Sequence, residues 1–356
     1  MSNSYSAYSS ELIEPAKLRP RSPGLRLFSK VVCGAVVFLI FMGALVTSNE
    51  AGLAVPDWPT SFGDNMFLFP PSKWIGIIFF EHVHRLVASV VGILTIILFV
   101  WILKVDRRRW VKMLAGITLL SVILQGVLGG LTVLYKLPLA ISSMHGVLGQ
   151  IFLVLTIILA YSQSRELEER TSTAHTTGSA RLFRYSSFLL IVIFMQLAAG
   201  ALMRHSEAGL AVPDFPLMAG SAIPSTSTAT IGELNSMRAS LRLPPVNAVQ
   251  VTLHLVHRLG AILVFAAALV LLCKGISAAR ETDHKFAKSS AVHLLYFVGY
   301  LVVIQFFLGA FSVWSVRQPV VTSLHVVTGA MLMGVTALLC LKAYPFKKTA
   351  KASAAG

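Results

Sequence analysis

The sequence predicts an all-α integral membrane protein: eight transmembrane helices in two pseudo-symmetric four-helix bundles, with both termini cytoplasmic. Three observations predict it. Apolar runs of roughly 20 residues, the length that crosses a bilayer, recur at about 30–48, 75–103, 113–135, 138–161, 183–204, 249–273, 291–315 and 320–343. Basic residues gather in alternate connections between these runs. A polar phrase is also written twice, NEAGLAVPDWPTSFG at 49–63 and SEAGLAVPDFPLMAG at 206–220, which marks an internal duplication.

Composition excludes a soluble domain. Of 356 residues 55% are hydrophobic and 13% charged, with a mean hydropathy of +0.75, whereas soluble domains carry about 25% charged residues. The first apolar run follows a polar tail, 1–28, and lacks a small-residue cleavage site, so it reads as a retained helix and not a signal peptide. The formal charge of +15 would suit nucleic acid, but its distribution excludes that reading. Lys17 to Lys30, Lys104 to Lys112, Arg165 to Arg184, Lys274 to Lys288 and Lys342 to Lys351 hold 22 of the 30 basic residues. The alternate loops hold six. Basic segments stay on the cytoplasmic side, so the duplicated phrase lies outside. Cys33, Cys273 and Cys340 fall in or beside apolar runs without metal-ligand spacing, and read as packing residues.

The repeat orders the remaining elements. LQGVLGGLTV (124–133) matches IQFFLGAFSV (304–313), SSMHGVLGQ (142–150) matches TSLHVVTGA (322–330), and EHVHRLVAS (81–89) matches HLVHRLGAI (254–262). Each unit has four spans, so both copies share one orientation. The division is a first bundle at 29–163, a cytoplasmic linker at 164–180, a second bundle at 181–343 and a tail at 344–356. The linker is polar, and the second outer connection, 205–248, is long and rich in Ser, Thr and Pro. Each duplicated phrase caps the outer end of a bundle, as a lid or as an ordinary structured loop. Its Gly and Pro-Asp suit a turn, and Trp58 or Phe215 suits the membrane interface.

Four of ten histidines occupy repeat-matched places: His84, His145, His257 and His325. Each lies a few turns from the outer end of its span, and ionisable groups inside a membrane mark function. Two imidazoles at equal depth in a four-helix bundle form an axial ligand pair for haem. Zinc asks for three or four grouped ligands. Gly129, Gly130, Gly146, Gly149 and Gly309 leave room for a flat ligand or serve helix packing. Arg85 and Arg258 follow His84 and His257, placed to pair with a haem propionate or to snorkel. Three residues before the histidine the copies differ: Glu81 in the first, His254 in the second. A carboxylate there suits proton transfer or stabilisation of positive charge. His205, His254 and Glu207 are placed for propionate or partner contacts, His175, His284 and His293 lie in or near inner loops, and His82 has no counterpart.

With these motifs the chain resembles the haem A synthase family over about 29–343. The glycine-plus-DWP loop, EHVHR and the single histidines of spans four, six and eight carry the resemblance. It implies eight helices in two pseudo-symmetric halves. It implies oxidation of a ring methyl of haem O to a formyl group, giving haem A for terminal oxidases. By the same resemblance His257 and His325 ligate a resident haem b, His84 and His145 bracket the substrate haem O, and Glu81 is the catalytic glutamate. Partners that suit this chemistry are the lipid bilayer, a haem O synthase and an electron-transfer protein, with a homo-oligomer left open. A bacterial plasma membrane is expected. Many bacterial members carry a cysteine pair around DWP; here those places hold Ala54 and Ser61. The alternative class is a dihaem cytochrome b-type electron carrier, which has no need of Glu81 on one side only. A transporter would place its polar residues at the midplane.

Overall fold

The computed structural model describes residues 22–170, 177–222, 225–281 and 285–344. The ends of both tails, the middle of the linker with His175, and His284 lie outside the described residues. Ten α-helices follow in order: α1 Pro23–Ser48, α2 Ile77–Val105, α3 Arg109–Leu134, α4 Leu139–Ser162, α5 Arg165–Arg170, α6 Thr177–His205, α7 Thr228–Ser240, α8 Ala248–Arg280, α9 Lys285–Trp314 and α10 Pro319–Ala343. Eight of them, all but α5 and α7, are long and apolar enough to cross a membrane. No strand occurs among the described residues.

The spans match the apolar runs but overshoot them at the charged ends. α1 begins at Pro23, where the ring pre-sets the first turn, and α8 continues to Arg280. Helical hydrogen bonding runs on past the point where hydropathy stops. The polar connections also hold helix: α5 lies in the linker, and α7 in the second outer loop. α7 starts at Ser227, whose side chain accepts the Thr230 N–H. Leu234 of α7 joins Val212, Val246, Val251 and Leu255 in a small apolar core under that loop. Arg238 anchors it by donating to the carbonyls of Pro244 and Leu210.

Within the first half α1 packs on α2 and α4, and α3 on α2 and α4; the second half repeats this with α6, α8, α9 and α10. The halves meet where α10 packs on α1 and α4, and α4 on α6. α10 is therefore the most enclosed span, 61% buried over its apolar window where the other seven are 22–28%. Outward apolar side chains such as Ile93, Ile117, Ile191 and Leu269 suit lipid contact. Ser48 of α1 ties the halves together, since it accepts from Ser323 Oγ at 3.0 Å and from Arg204 Nη2 at 2.7 Å. The α3–α4 and α9–α10 turns are matched too: Lys136–Leu137 and Val316–Arg317 are consecutive left-handed residues in the same repeat positions.

One end of the molecule carries both copies of the duplicated phrase, and each copy is clamped by the arginine after the histidine. Arg85 donates to the carbonyls of Val55 (2.9 Å), Asp57 (2.7 Å) and Thr60 (3.1 Å). Arg258 donates to those of Val212 (2.8 Å), Asp214 (2.7 Å) and Leu217 (3.0 Å), the same three repeat positions. The aspartates close the turns. Asp57 accepts the N–H groups of Phe62 and Gly63, and Asp214 those of Ala219 and Gly220. Its slight burial works upward on the Asp57 carboxyl, but hydrogen bonds from Thr60, Gly63 and Phe62 outweigh it and hold the group below the ordinary carboxylate range. Trp58 then lies on Gly130 of α3, where an added Cβ would stand 2.5 Å from its ring. Phe215 instead packs edge-on against Phe306 and Trp314 of α9.

The opposite end is held by ion pairs. Arg108 pairs with Asp106 at 2.5 Å and reaches the Ser162 carbonyl, and Lys342 pairs with Glu166. Burial works upward on the Asp106 carboxyl, yet hydrogen bonds from Arg108 and Gln163 bring it down to about 2, so it stays ionised at neutral pH.

Two expectations follow. Arg258→Ala removes donors that a neutral side chain cannot replace, so the loop should lose about 3 kcal/mol of anchoring. Hydrogen exchange over 212–220 should then rise about 100-fold, and Arg258→Lys, a point charge without the fork, should recover only part. Gly130→Val should expel Trp58 from its seat, read as a red-shifted tryptophan emission and new protease cleavage in 52–64.

Candidate functional site

The four repeat-matched histidines sit about two turns in from the lid end of α2, α4, α8 and α10. Each rests its ring edge on a glycine of the preceding span. A Cβ built on Gly43 of α1 would stand 3.1 Å from His84 Cε1, and one on Gly129 of α3 would stand 3.3 Å from His145 Cε1. In the second half Gly200 of α6 gives 2.9 Å to His257 Cε1, and Gly309 of α9 gives 3.1 Å to His325 Cε1. A Cβ at any of the four would press on the imidazole edge, most tightly at Gly200. One seat is thus built four times.

Donor chemistry follows from that seat. His84, His145 and His325 each bury Nδ1 without a hydrogen-bond partner. Such groups cost free energy unless something at the site repays it. The His257 and His325 ring centroids lie 6.4 Å apart with the planes at 78°. Two imidazoles bonded to one metal through nitrogen bonds of ~2 Å would stand roughly that far apart, so the second-half pair fits an axial haem site. Among the described residues no cluster of three or more His, Cys, Asp and Glu gathers, so the available sets are pairs.

The position three before His84 and His257 is where the halves diverge. Glu81 is 2% exposed; its Oε1 accepts from Arg85 at 2.6 Å and its Oε2 from the Val55 N–H at 2.8 Å. The first half therefore holds a buried carboxylate–guanidinium pair pinned to the lid. His254 takes the same place with both ring nitrogens engaged, Nδ1 to the Ala208 carbonyl at 2.9 Å and Nε2 accepting from Arg258 Nε at 2.8 Å. Those two contacts spend its ring on the lid, where the sequence suggested a propionate or partner contact. Arg85 and Arg258 likewise direct their terminal nitrogens to loop carbonyls.

The other sequence candidates fall into place around this site. His82 is fully buried between Phe69 and Trp74, with Nδ1 3.4 Å from Ser61 Oγ. Ser61, one of the places where a cysteine pair was compared, is thus a buried residue of the lid. His205 ends α6 beside Arg204, and Glu207 is exposed. His293 is exposed on α9. Cys33, Cys273 and Cys340 are free thiols. The sequence reading missed the glutamines that brace the histidine helices. Gln125 Nε2 donates to the His145 carbonyl at 2.9 Å and Gln196 Nε2 to the His257 carbonyl at 2.8 Å. Their signal was present as a glutamine four residues before the seat glycine.

Residues 31–337 match the family COX15-CtaA, described as cytochrome oxidase assembly protein. The chain is 32% identical over 208 residues to a protein named heme A synthase from Alkalihalophilus pseudofirmus, spanning 56% of this chain and 66% of that one. It is 28% identical over 214 residues to the heme A synthase of Shouchella clausii, spanning 59% and 68%. Against that of Shewanella oneidensis it is 28% identical over 256 residues, spanning 66% and 74%. Eight apolar helices and bacterial relatives make this a multi-pass protein of the plasma membrane. Since the match runs through nearly all of the eight spans, the chain belongs to the COX15-CtaA family of cytochrome oxidase assembly proteins.

Proposed function

We propose that the protein converts haem O to haem A, oxidising one ring methyl to a formyl group through the alcohol and a hydrated aldehyde that loses water. The observation that carries this reading is the one-sided carboxylate: the histidine seat is built four times, but only the first half sets a buried Glu81 beside it. The relatives named heme A synthase support the reaction class. An electron carrier with two equivalent sites has no use for that difference.

In this reading residues 29–163 form the substrate half and 181–343 the haem b half. The lid end faces outward, because Arg107 to Arg109, Arg181, Lys274 and Lys342 crowd the opposite end. His257 and His325 hold haem b, which when bound supplies one-electron redox chemistry. His84 and His145 fix the height and tilt of the substrate haem. Glu81 keeps a negative charge at the outer edge of that site, and can stabilise positive charge on the methyl carbon or take up the proton released as water adds. Arg85 balances the carboxylate and ties it to the lid, and the lid keeps bulk water away from the bond being made. Supply from a haem O synthase and an electron-transfer partner complete the proposed setting.

Haem extraction and chromatography from membranes that also express a haem O synthase test this reading. Wild type should yield haem A. Glu81→Gln keeps the size of the side chain and one acceptor oxygen, so it can retain only one of the two hydrogen bonds from Arg85 and the Val55 N–H. It loses the charge, and should cut haem A about 100-fold or more, with haem O or its alcohol accumulating. Full conversion by Glu81→Gln would remove the glutamate from the chemistry, and haem O left untouched by wild type would favour the electron carrier. His257→Ala and His325→Ala should each lower bound haem b while leaving extractable haem O in place.

A further inference from the structure

The two halves differ at a second place, and the difference concerns how firmly each histidine is held. Three of the four seat glycines are preceded four residues earlier by glutamine: Gln125 before Gly129, Gln196 before Gly200 and Gln305 before Gly309. Each amide lies in a glycine notch one turn beyond the histidine it serves. A Cβ on Gly149 would stand 3.0 Å from Gln125 Nε2, one on Gly329 would stand 3.1 Å from Gln305 Nε2, and one on Gly260 would stand 2.0 Å from Gln196 Oε1. Gln125 and Gln196 donate to the main-chain carbonyl of the histidine itself, and Gln196 Nε2 also comes within 3.1 Å of His257 Nδ1.

The fourth seat breaks the pattern at both positions together. Before Gly43 stands Leu39, and in the notch position of α2, the repeat partner of Gly260, stands Val87. Both pack into the apolar core of the first half. A polar residue needing a notch and a glycine providing one have been exchanged as a pair for two apolar side chains. This is a built difference, because either change alone would leave a buried amide without space or a gap without an occupant. His84, on the same helix as Glu81, is thus the histidine whose helix lacks a glutamine tie to its neighbour.

We propose that His84 is the releasing ligand of the substrate site, and that Leu39 and Val87 are positioning residues that make it so. This rests on the functional reading above, and adds what turnover demands. A resident cofactor should stay, whereas a substrate that becomes product must leave. Gln125 and Gln196 brace the main chain that carries the histidine, and such bracing sets how precisely a ligand is held, so withholding the tie from one ligand weakens one site and spares the other.

The test is haem transfer to excess apomyoglobin from the purified full-length protein carrying haem b and loaded with haem O, with the transferred haem identified by chromatography. In wild type, haem O should leave faster than haem b. Leu39→Gln/Val87→Gly should slow haem O transfer about tenfold and reduce its high-spin ferric fraction, with haem b transfer unchanged. Gln196→Leu/Gly260→Val should accelerate haem b loss by a similar factor and leave haem O alone. Rates and spin state unmoved in the first variant, or in the second should the first not fold, would overturn the proposal and leave the functional reading standing. If His84→Ala and His145→Ala do not alter haem O binding at all, the functional reading itself fails, and this proposal with it.

Discussion

Everything at this site depends on a close approach between helix backbones and imidazole edges. Gly43, Gly129, Gly200 and Gly309 leave each histidine ring in near contact with the neighbouring helix. Within a bilayer no hydrophobic force draws helices together, so small residues that permit close packing set the geometry. The same seat also keeps the ring from turning freely. Depth, spacing and tilt of the donors therefore follow from four missing side chains.

The lids are the second layer of this design. Arg85 and Arg258 each stand one residue after a seated histidine, so whatever places the histidine also places the clamp. In the first half the clamp includes Glu81, whose two oxygens receive Arg85 and the Val55 N–H; in the second His254 substitutes with its two ring nitrogens. A carboxylate and an imidazole thus meet the same requirement, one acceptor for arginine and one link to the loop. Only the carboxylate carries a charge with it, so the duplicated scaffolding is chemically unlike in its two halves.

Much of this was legible in the sequence, and what was not has a physical reason. The eight spans, the repeat and the four matched histidines are patterns of side-chain type, and hydropathy and spacing reveal them. The work of Arg85 and Arg258 was hidden because their partners are main-chain carbonyls, which every residue possesses and no sequence displays. For the same reason Asp57 and Asp214 read only as turn formers, although they close the turns by accepting two N–H groups each. α7 was obscured by the Ser- and Thr-rich residues before it, and its Leu234 and Arg238 gain meaning only from the core and the carbonyls they meet. The exchange of Gln196 and Gly260 for Leu39 and Val87 was visible letter by letter. It became readable once the structure placed each glutamine in its notch.

The clamps also bear on how such a chain can change over generations. Their receiving atoms are backbone oxygens, and a point mutation at Thr60 or its counterpart Leu217 alters the side chain but leaves the oxygen. The loops can therefore vary what they present to the outer face while remaining fastened in the same place. The glycine seats have less latitude, since a Cβ there would stand 2.9–3.3 Å from the ring edge and press on it. Drift should accumulate in the side chains above the lids and slow at the helix surfaces below them.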